Sequence, residues 1–186
     1  MNLAKASIQA NAVLIALYPF CEGLKIAGSI RREKLEVHDI DIVAMPKDVV
    51  TIGPLGVPVS FAKEIVWSQL FPKALKQLGL KVEASGQELL RCSYYDGFQV
   101  DIYRARSETW GVILLVRSGS RAHNVKLCAI AKSKGLMLSA SRGILAYWID
   151  GKCFPQGNVI ASRSEEEIFA ALGLGFVEPQ NREVPY

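Results

Sequence analysis

Two short stretches carry the side chains best suited to chemistry: Ala27-Gly28-Ser29-Ile30-Arg31-Arg32 and, shortly after, Asp39-Ile40-Asp41-Ile42-Val43. Asp39 and Asp41 lie two apart in an apolar, β-branched run. On a strand they face one side with Cα atoms about 6–7 Å apart, while Ile40 and Ile42 face a core. Carboxylates that close repel unless a cation lies between them, and hard oxygens suit Mg2+ or Mn2+. Gly28-Ser29 can bring backbone N–H groups and a hydroxyl against a phosphate. Arg31 and Arg32 add charge for an anionic ligand. Either motif alone is also an ordinary turn or a solvated face; together, an anion loop and a carboxylate pair read as a nucleotidyl-transfer site.

A third carboxylate, Asp101, interrupts the apolar and aromatic run Phe98-Gln99-Val100-Asp101-Ile102-Tyr103. A buried Asp needs a partner. That partner is one of the nearby arginines or, if this strand lies beside residues 39–43, the same cation.

The elements that must hold these groups follow from periodicity. Helical spacing runs from about Asn2 to Tyr18 and stops at Pro19. Leu24–Ala27 and Ile40–Ala44 read as partner strands. The prolines and glycines of residues 51–58 are expected to break any regular element. Phe61 to Leu78 reads as helix, divided near Pro72 and closed by Gly79. Lys81–Ala84, Glu88–Tyr94 and Gly97–Tyr103 read as strands, the last two joined by a Tyr95-Asp96-Gly97 turn. Trp110–Val116 is strand or helix, and a helix from Val125 ends at Gly135. Leu136–Ser139, Ile144–Trp148 and Lys152–Phe154 suggest a small antiparallel sheet turning at Asp150-Gly151. Ser164-Glu165-Glu166-Glu167 is a capping box opening a short helix. No repeat or low-complexity segment is present.

At 186 residues, half of them apolar, the chain has the make-up of a soluble globular protein of one or two domains. No apolar run approaches the roughly 20 residues of a spanning helix, so residues 12–20 read as a core helix and no membrane partner is expected. Cys21, Cys92, Cys128 and Cys153 are widely spaced, which argues against zinc and a disulfide framework and for reduced thiols inside a cell (or a virion, if the source is viral). Net charge is +4, but Arg104, Arg106, Arg117, Arg121, Lys126, Lys132, Lys134 and Arg142 share their stretch with only one acid, Glu108. Such a stretch is either a solvated basic face or a grip on a phosphate-rich partner.

The Gly-Ser-x-Arg-Arg and Asp-x-Asp blocks, followed by Ser118-Gly119-Ser120-Arg121-Ala122-His123-Asn124 and by the closing segment from Glu165 to Glu183, resemble the motifs of family X DNA polymerases, the DNA polymerase β-like nucleotidyltransferases. The blocks stand in the family's order over most of the chain. The few residues before Gly28 leave no room for the family's lyase and helix-hairpin-helix modules, so the resemblance is to its minimal viral palm-plus-thumb members. It implies an α+β fold, with a catalytic palm over residues 1–106 (a mixed or antiparallel sheet with helices on one face) and a small thumb over 107–186.

It also implies template-directed extension of a primer 3′-OH from a nucleoside triphosphate, on gapped DNA during repair, by a monomer using two Mg2+ or Mn2+. Asp39, Asp41 and Asp101 would hold the ions. Gly28, Ser29 and Arg32 would take the phosphates, leaving Arg31 toward solvent or DNA. Ser118, Gly119, Ser120, Arg121 and Asn124 would line the nucleotide's sugar and base. Arg104, Arg117, Lys126, Lys132, Lys134 and Arg142 would contact DNA, with affinity falling steeply as salt rises. His38 either donates to the γ-phosphate or caps a turn. Val116 and Arg117 replace an aromatic pair that helps exclude ribonucleotides, so weaker sugar discrimination is expected. Cys128 replaces a template-contacting arginine. The same superfamily also holds template-independent and RNA- or small-molecule-modifying transferases, and a catalytically idle DNA-binding module is a further alternative.

Overall fold

The computed structural model describes residues 1–53, 56–146, 148–149, 152–153 and 158–183. The chain forms two compact units, one made of Met1–Ile26 and Lys34–Ala105, the other of Ala27–Glu33 and Arg106–Tyr186. The phosphate-loop candidate therefore belongs to the second unit, not to the first as a division at residue 106 implies.

In the first unit, helix α1 (Leu3–Leu17) starts where Asn2 Oδ1 accepts the Lys5 N–H at 2.9 Å, and it gives way to a 3-10 turn at Tyr18–Phe20. This cap satisfies one of the N–H groups a helix start leaves open. Strand β1 (Cys21–Ile26) leads into the single turn α2 (Gly28–Arg31) of the second unit. Gly28 has φ +59°, a left-handed conformation that costs glycine nothing.

Strand β2 (Asp39–Pro46) returns antiparallel to β1. The turn-rich stretch then forms a hairpin, β3 (Val49–Ile52) with β4 (Pro58–Phe61), where breakers alone were expected. Gly53 and Gly56 lie between the strands and Pro58 takes the first position of β4, where Pro is tolerated.

One helical run holds α3 (Lys63–Ile65), a π-helical turn at Val66–Leu70 and α4 (Phe71–Gln77), with Pro72 in the first turn of α4. Strands β5 (Lys81–Ser85), β6 (Leu89–Ser93) and β7 (Gln99–Arg104) complete a sheet ordered β1-β2-β7-β6-β5. All pairs are antiparallel except β2 with β7. Alternation places Ile40, Ile42, Leu90, Cys92, Val100 and Ile102 in the core, which also buries Val13 and Leu17 of α1 and Phe71 and Leu75 of α4. The opposite face is polar. By length and composition Leu3–Phe20 is a helix able to cross a bilayer, longer than the apolar run read from sequence; here its Ala6, Ala10, Val13 and Leu17 are buried in the first unit.

The second unit continues with α5 (Trp110–Ser118), which settles Trp110–Val116 as helix, and α6 (Arg121–Ser133), capped by Ser120 Oγ accepting the His123 N–H. Strands β8 (Leu136–Ser139) and β9 (Gly143–Ala146) follow, then the pair β10 (Trp148–Ile149) and β11 (Lys152–Cys153). The expected turn at Asp150-Gly151 lies outside the described residues. Strand β12 (Val159–Ala161), not anticipated, pairs with β9 and closes a three-stranded sheet. Helix α7 (Glu165–Ala171) carries the expected cap, Ser164 Oγ accepting the Glu167 N–H at 3.1 Å. Val112, Leu115, Leu127, Ala131, Ile144, Ile168, Phe169 and Leu172 form its core.

Candidate active site

On the first unit's polar face, β2 and β7 bring the three predicted carboxylates onto adjacent strands. Asp41 pairs with Asp101 and Asp39 with Gln99 in parallel register, so all three acids share one side of the sheet. The register also adds Gln99 and Tyr103 to that side. Asp39 and Asp41 are partly exposed, whereas Asp101 is buried.

Asp101 has a counter-ion from the protein. Arg91 on β6, opposite Asp101 in the antiparallel register, donates from Nε to Oδ1 at 2.8 Å and from Nη2 to Oδ2 at 2.7 Å. The Tyr103 hydroxyl donates to Oδ2 at 3.2 Å. The fork and charge of Asp101 raise the Arg91 pKa further. Of the two partners left open by the sequence, the structure shows the arginine.

For a divalent ion the donor set fits in kind, being hard carboxylate oxygen throughout. It is not assembled in place: among the described residues no three His, Cys, Asp or Glu side chains gather closely enough to hold an ion. The three expected acids thus share one face without closing into a cluster, Asp101 being held toward β6. The strand order explains the difference, since Asp101 sits between Asp41 on one side and Arg91 on the other. His38 is exposed beside an open cavity of about 650 Å³ lined also by Lys5, Phe98 and Gln99.

In the second unit, the anion loop packs into a network of charge. Arg31 donates to Glu165 through both terminal nitrogens, at 2.9 and 2.6 Å, and to Ser118 Oγ at 2.6 Å. Expected to face solvent or DNA, it is instead drawn in by a buried glutamate. Arg182, fully buried, donates to Glu165 Oε1, which also accepts from Arg31, and lies 5.4 Å over each of the Phe169 and Phe176 rings. Burial alone would raise the Glu165 pKa, but the two guanidiniums outweigh it and hold the carboxyl below its ordinary range.

Arg32, the expected phosphate ligand, bonds the Glu183 carboxylate and the Ser118 carbonyl. Ser118 is buried by these bonds and Ser120 serves as a helix cap, so both hydroxyls have structural roles. By contrast Ser29 Oγ and Asn124 Oδ1 are buried with no hydrogen-bond partner. Asn124 donates through Nδ2 to the Val116 carbonyl at 2.8 Å, which fixes its amide. A Cβ on Gly119 would stand 2.4 Å from that Oδ1, so this position takes no side chain.

Among the basic residues expected on DNA, Arg104 is excluded. Alternation puts it on the buried side of β7, where it stacks 5.7 Å over Trp67 and donates to Glu64. Arg117, Arg121, Lys132 and Lys134 are exposed, and Lys126 and Arg142 half-buried.

His123, at the start of α6, is buried beside Phe169 at a ring distance of 6.0 Å. Burial, then the Arg182 charge, push its imidazole down to about 4; Glu165 opposes them, and Arg32 and Lys126 add to the fall. A depressed His pKa contributes stability that is complete above about 6.5 and lost as pH falls toward 4, because the unfolded chain binds the proton first. The loss should reach on the order of 3 kcal/mol near pH 4. Thermal unfolding between pH 7 and 4 should show it, and His123→Phe should flatten the curve. Parallel curves for the two proteins would remove His123 as the cause.

The architecture is of the polymerase β class, a palm-type sheet unit followed by a smaller α/β unit, as the resemblance implied. Residues 113–183 match the family model described as DNA polymerase beta thumb. Solved structures that share the fold include two of Leishmania infantum polymerase beta. A ternary P/T complex aligns with TM-score 0.72 and 20% identity over 98% of this chain and 76% of that one. A ternary gap complex aligns with TM-score 0.75 and 19% identity over 98% and 70%. No curated protein matches the sequence.

Proposed function

We propose that the protein is a DNA polymerase of the polymerase β type, extending a primer 3′-OH on gapped template by nucleotidyl transfer, with repair synthesis as its role. The observation that carries this reading is the parallel register of β2 and β7, which sets Asp39, Asp41 and Asp101 on one face. The thumb match to residues 113–183 favours DNA over the other substrates of the superfamily.

In this reading Asp39, Asp41 and Asp101 would hold two Mg2+ or Mn2+, and Asp101 would also accept the proton of the 3′-OH. Ions held there would supply Lewis acidity, favouring ionisation of that hydroxyl and offsetting charge on the triphosphate. Ser29 Oγ, buried and without a hydrogen-bond partner, would bind a phosphate once exposed. Arg32, which already bonds Glu183 and the Ser118 carbonyl, would add its charge to the phosphates. Asn124 Oδ1, without a partner, would bind the nucleotide once exposed, and Gly119 leaves room for the Asn124 side chain.

Primer extension on a gapped duplex, with and without template strand, tests the reading. Template-dependent incorporation is expected. Incorporation that ignores the template would favour the template-independent transferases, the second reading, and none at all would leave a DNA-binding module.

DNA grip in this reading comes from the exposed cations Arg117, Arg121, Lys132 and Lys134. Affinity for duplex should then fall roughly 10²-fold or more between 50 and 200 mM salt if four or more phosphates are neutralised. A flat salt dependence in a fluorescence anisotropy titration would assign the binding elsewhere.

A further inference from the structure

We propose that Arg91 is a positioning residue of the carboxylate face: its ion pair with Asp101 is the contact a divalent cation must displace, so Arg91 sets how tightly that face holds such ions. The inference rests on the nucleotidyl-transfer reading of the face and adds a residue that reading does not use.

Asp101 has neighbours in register on both sides, Asp41 from β2 and Arg91 from β6. The first repels it and the second binds both of its oxygens, at 2.8 and 2.7 Å. An ionised carboxylate offers about four acceptor positions. The Arg91 fork takes two and the Tyr103 hydroxyl a third, which leaves one, on Oδ1. While the fork stays closed, Asp101 can give a cation one lone pair and no more.

Burial decides which partner yields. The Asp101 side chain is 3% exposed and that of Arg91 42%. Arg91 can turn into water and remain solvated, whereas Asp101 cannot give up a counter-ion without gaining another. Arg91 is thus an exchangeable internal cation. The charge of Asp39 also acts on it, so the same guanidinium offsets part of the mutual repulsion among the acids.

The test is Mn2+ binding to the full chain, without DNA or nucleotide, followed by electron paramagnetic resonance at pH 7.5. Arg91→Met should bind Mn2+ about tenfold or more tighter than the parent, since a competing positive charge is gone. Arg91→Lys keeps the charge but loses the fork, and should tighten binding by about threefold. Thermal unfolding of the Met variant should rise further on adding Mn2+ than that of the parent. Equal or weaker Mn2+ binding by the Met variant overturns the proposal, because Arg91 would then only hold Asp101 in shape. If the Met variant does not fold, unchanged affinity in the Lys variant overturns it equally. Extension activity is not the readout, so an inactive parent would sink the polymerase reading alone, and unaltered Mn2+ affinity would sink this one alone.

Discussion

Replacing Asp101 with Asn is expected to lower primer extension by roughly a thousandfold, about 4 kcal/mol of transition-state stabilisation, while leaving the fold in place. The buried carboxylate becomes an amide of the same shape that still accepts from Arg91 through its oxygen. Because the Arg91 side chain is well exposed, no uncompensated buried charge remains. Asp41→Asn should behave alike, since its Cα stands opposite that of Asp101 in the ladder. Single-turnover extension checks the rate, and thermal unfolding the fold. Near-normal extension by either variant would remove that acid from the chemistry.

Glu165→Ala should cost stability rather than chemistry, and much more of it than a surface charge would. The glutamate bonds both Arg31 and the fully buried Arg182. Arg182 Nη2 already lacks a partner. Removing the acid leaves a buried guanidinium facing no anion, a loss of about 3–5 kcal/mol. For a chain of this length that lowers the unfolding midpoint by roughly 10 °C. Replacing Glu165 and Arg182 together with Leu and Met should recover part of the loss, because no lone charge is then buried. A double variant no more stable than Glu165→Ala would show that shape, not charge, holds this corner.

The acids were readable because a period of two in an apolar run fixes which side a residue faces, and Asp39, Asp41 and Asp101 interrupt such runs. The parallel pairing of β2 with β7 has no local signature, and the sequence reading asked only that the two strands be neighbours. Arg91 was within reach: the turn at residues 95–97 fixes the hairpin register, which sets position 91 against 101. The same alternation would have placed Arg104 inside, beside Val100 and Ile102. Its positive charge read as a DNA contact only because charge was weighed without facing. Arg31 and Arg32 were recognisable as a pair for anions, but their partners Glu165 and Glu183 lie more than 130 residues away, and no spacing rule reaches that far. The hairpin β3–β4 was missed because proline and glycine were taken as ends of structure, whereas Pro58 opens β4 and pairs with Ile52.

One consequence of the placement of Ala27–Glu33 concerns excision. The second unit is discontinuous in sequence, so a fragment cut at Arg106, at the natural-looking boundary, would carry Glu165 and Glu183 without the guanidiniums of Arg31 and Arg32 that answer them. Such a piece would need those seven residues returned to it, as a tethered peptide or a permuted terminus, before its behaviour in isolation said anything about the intact chain.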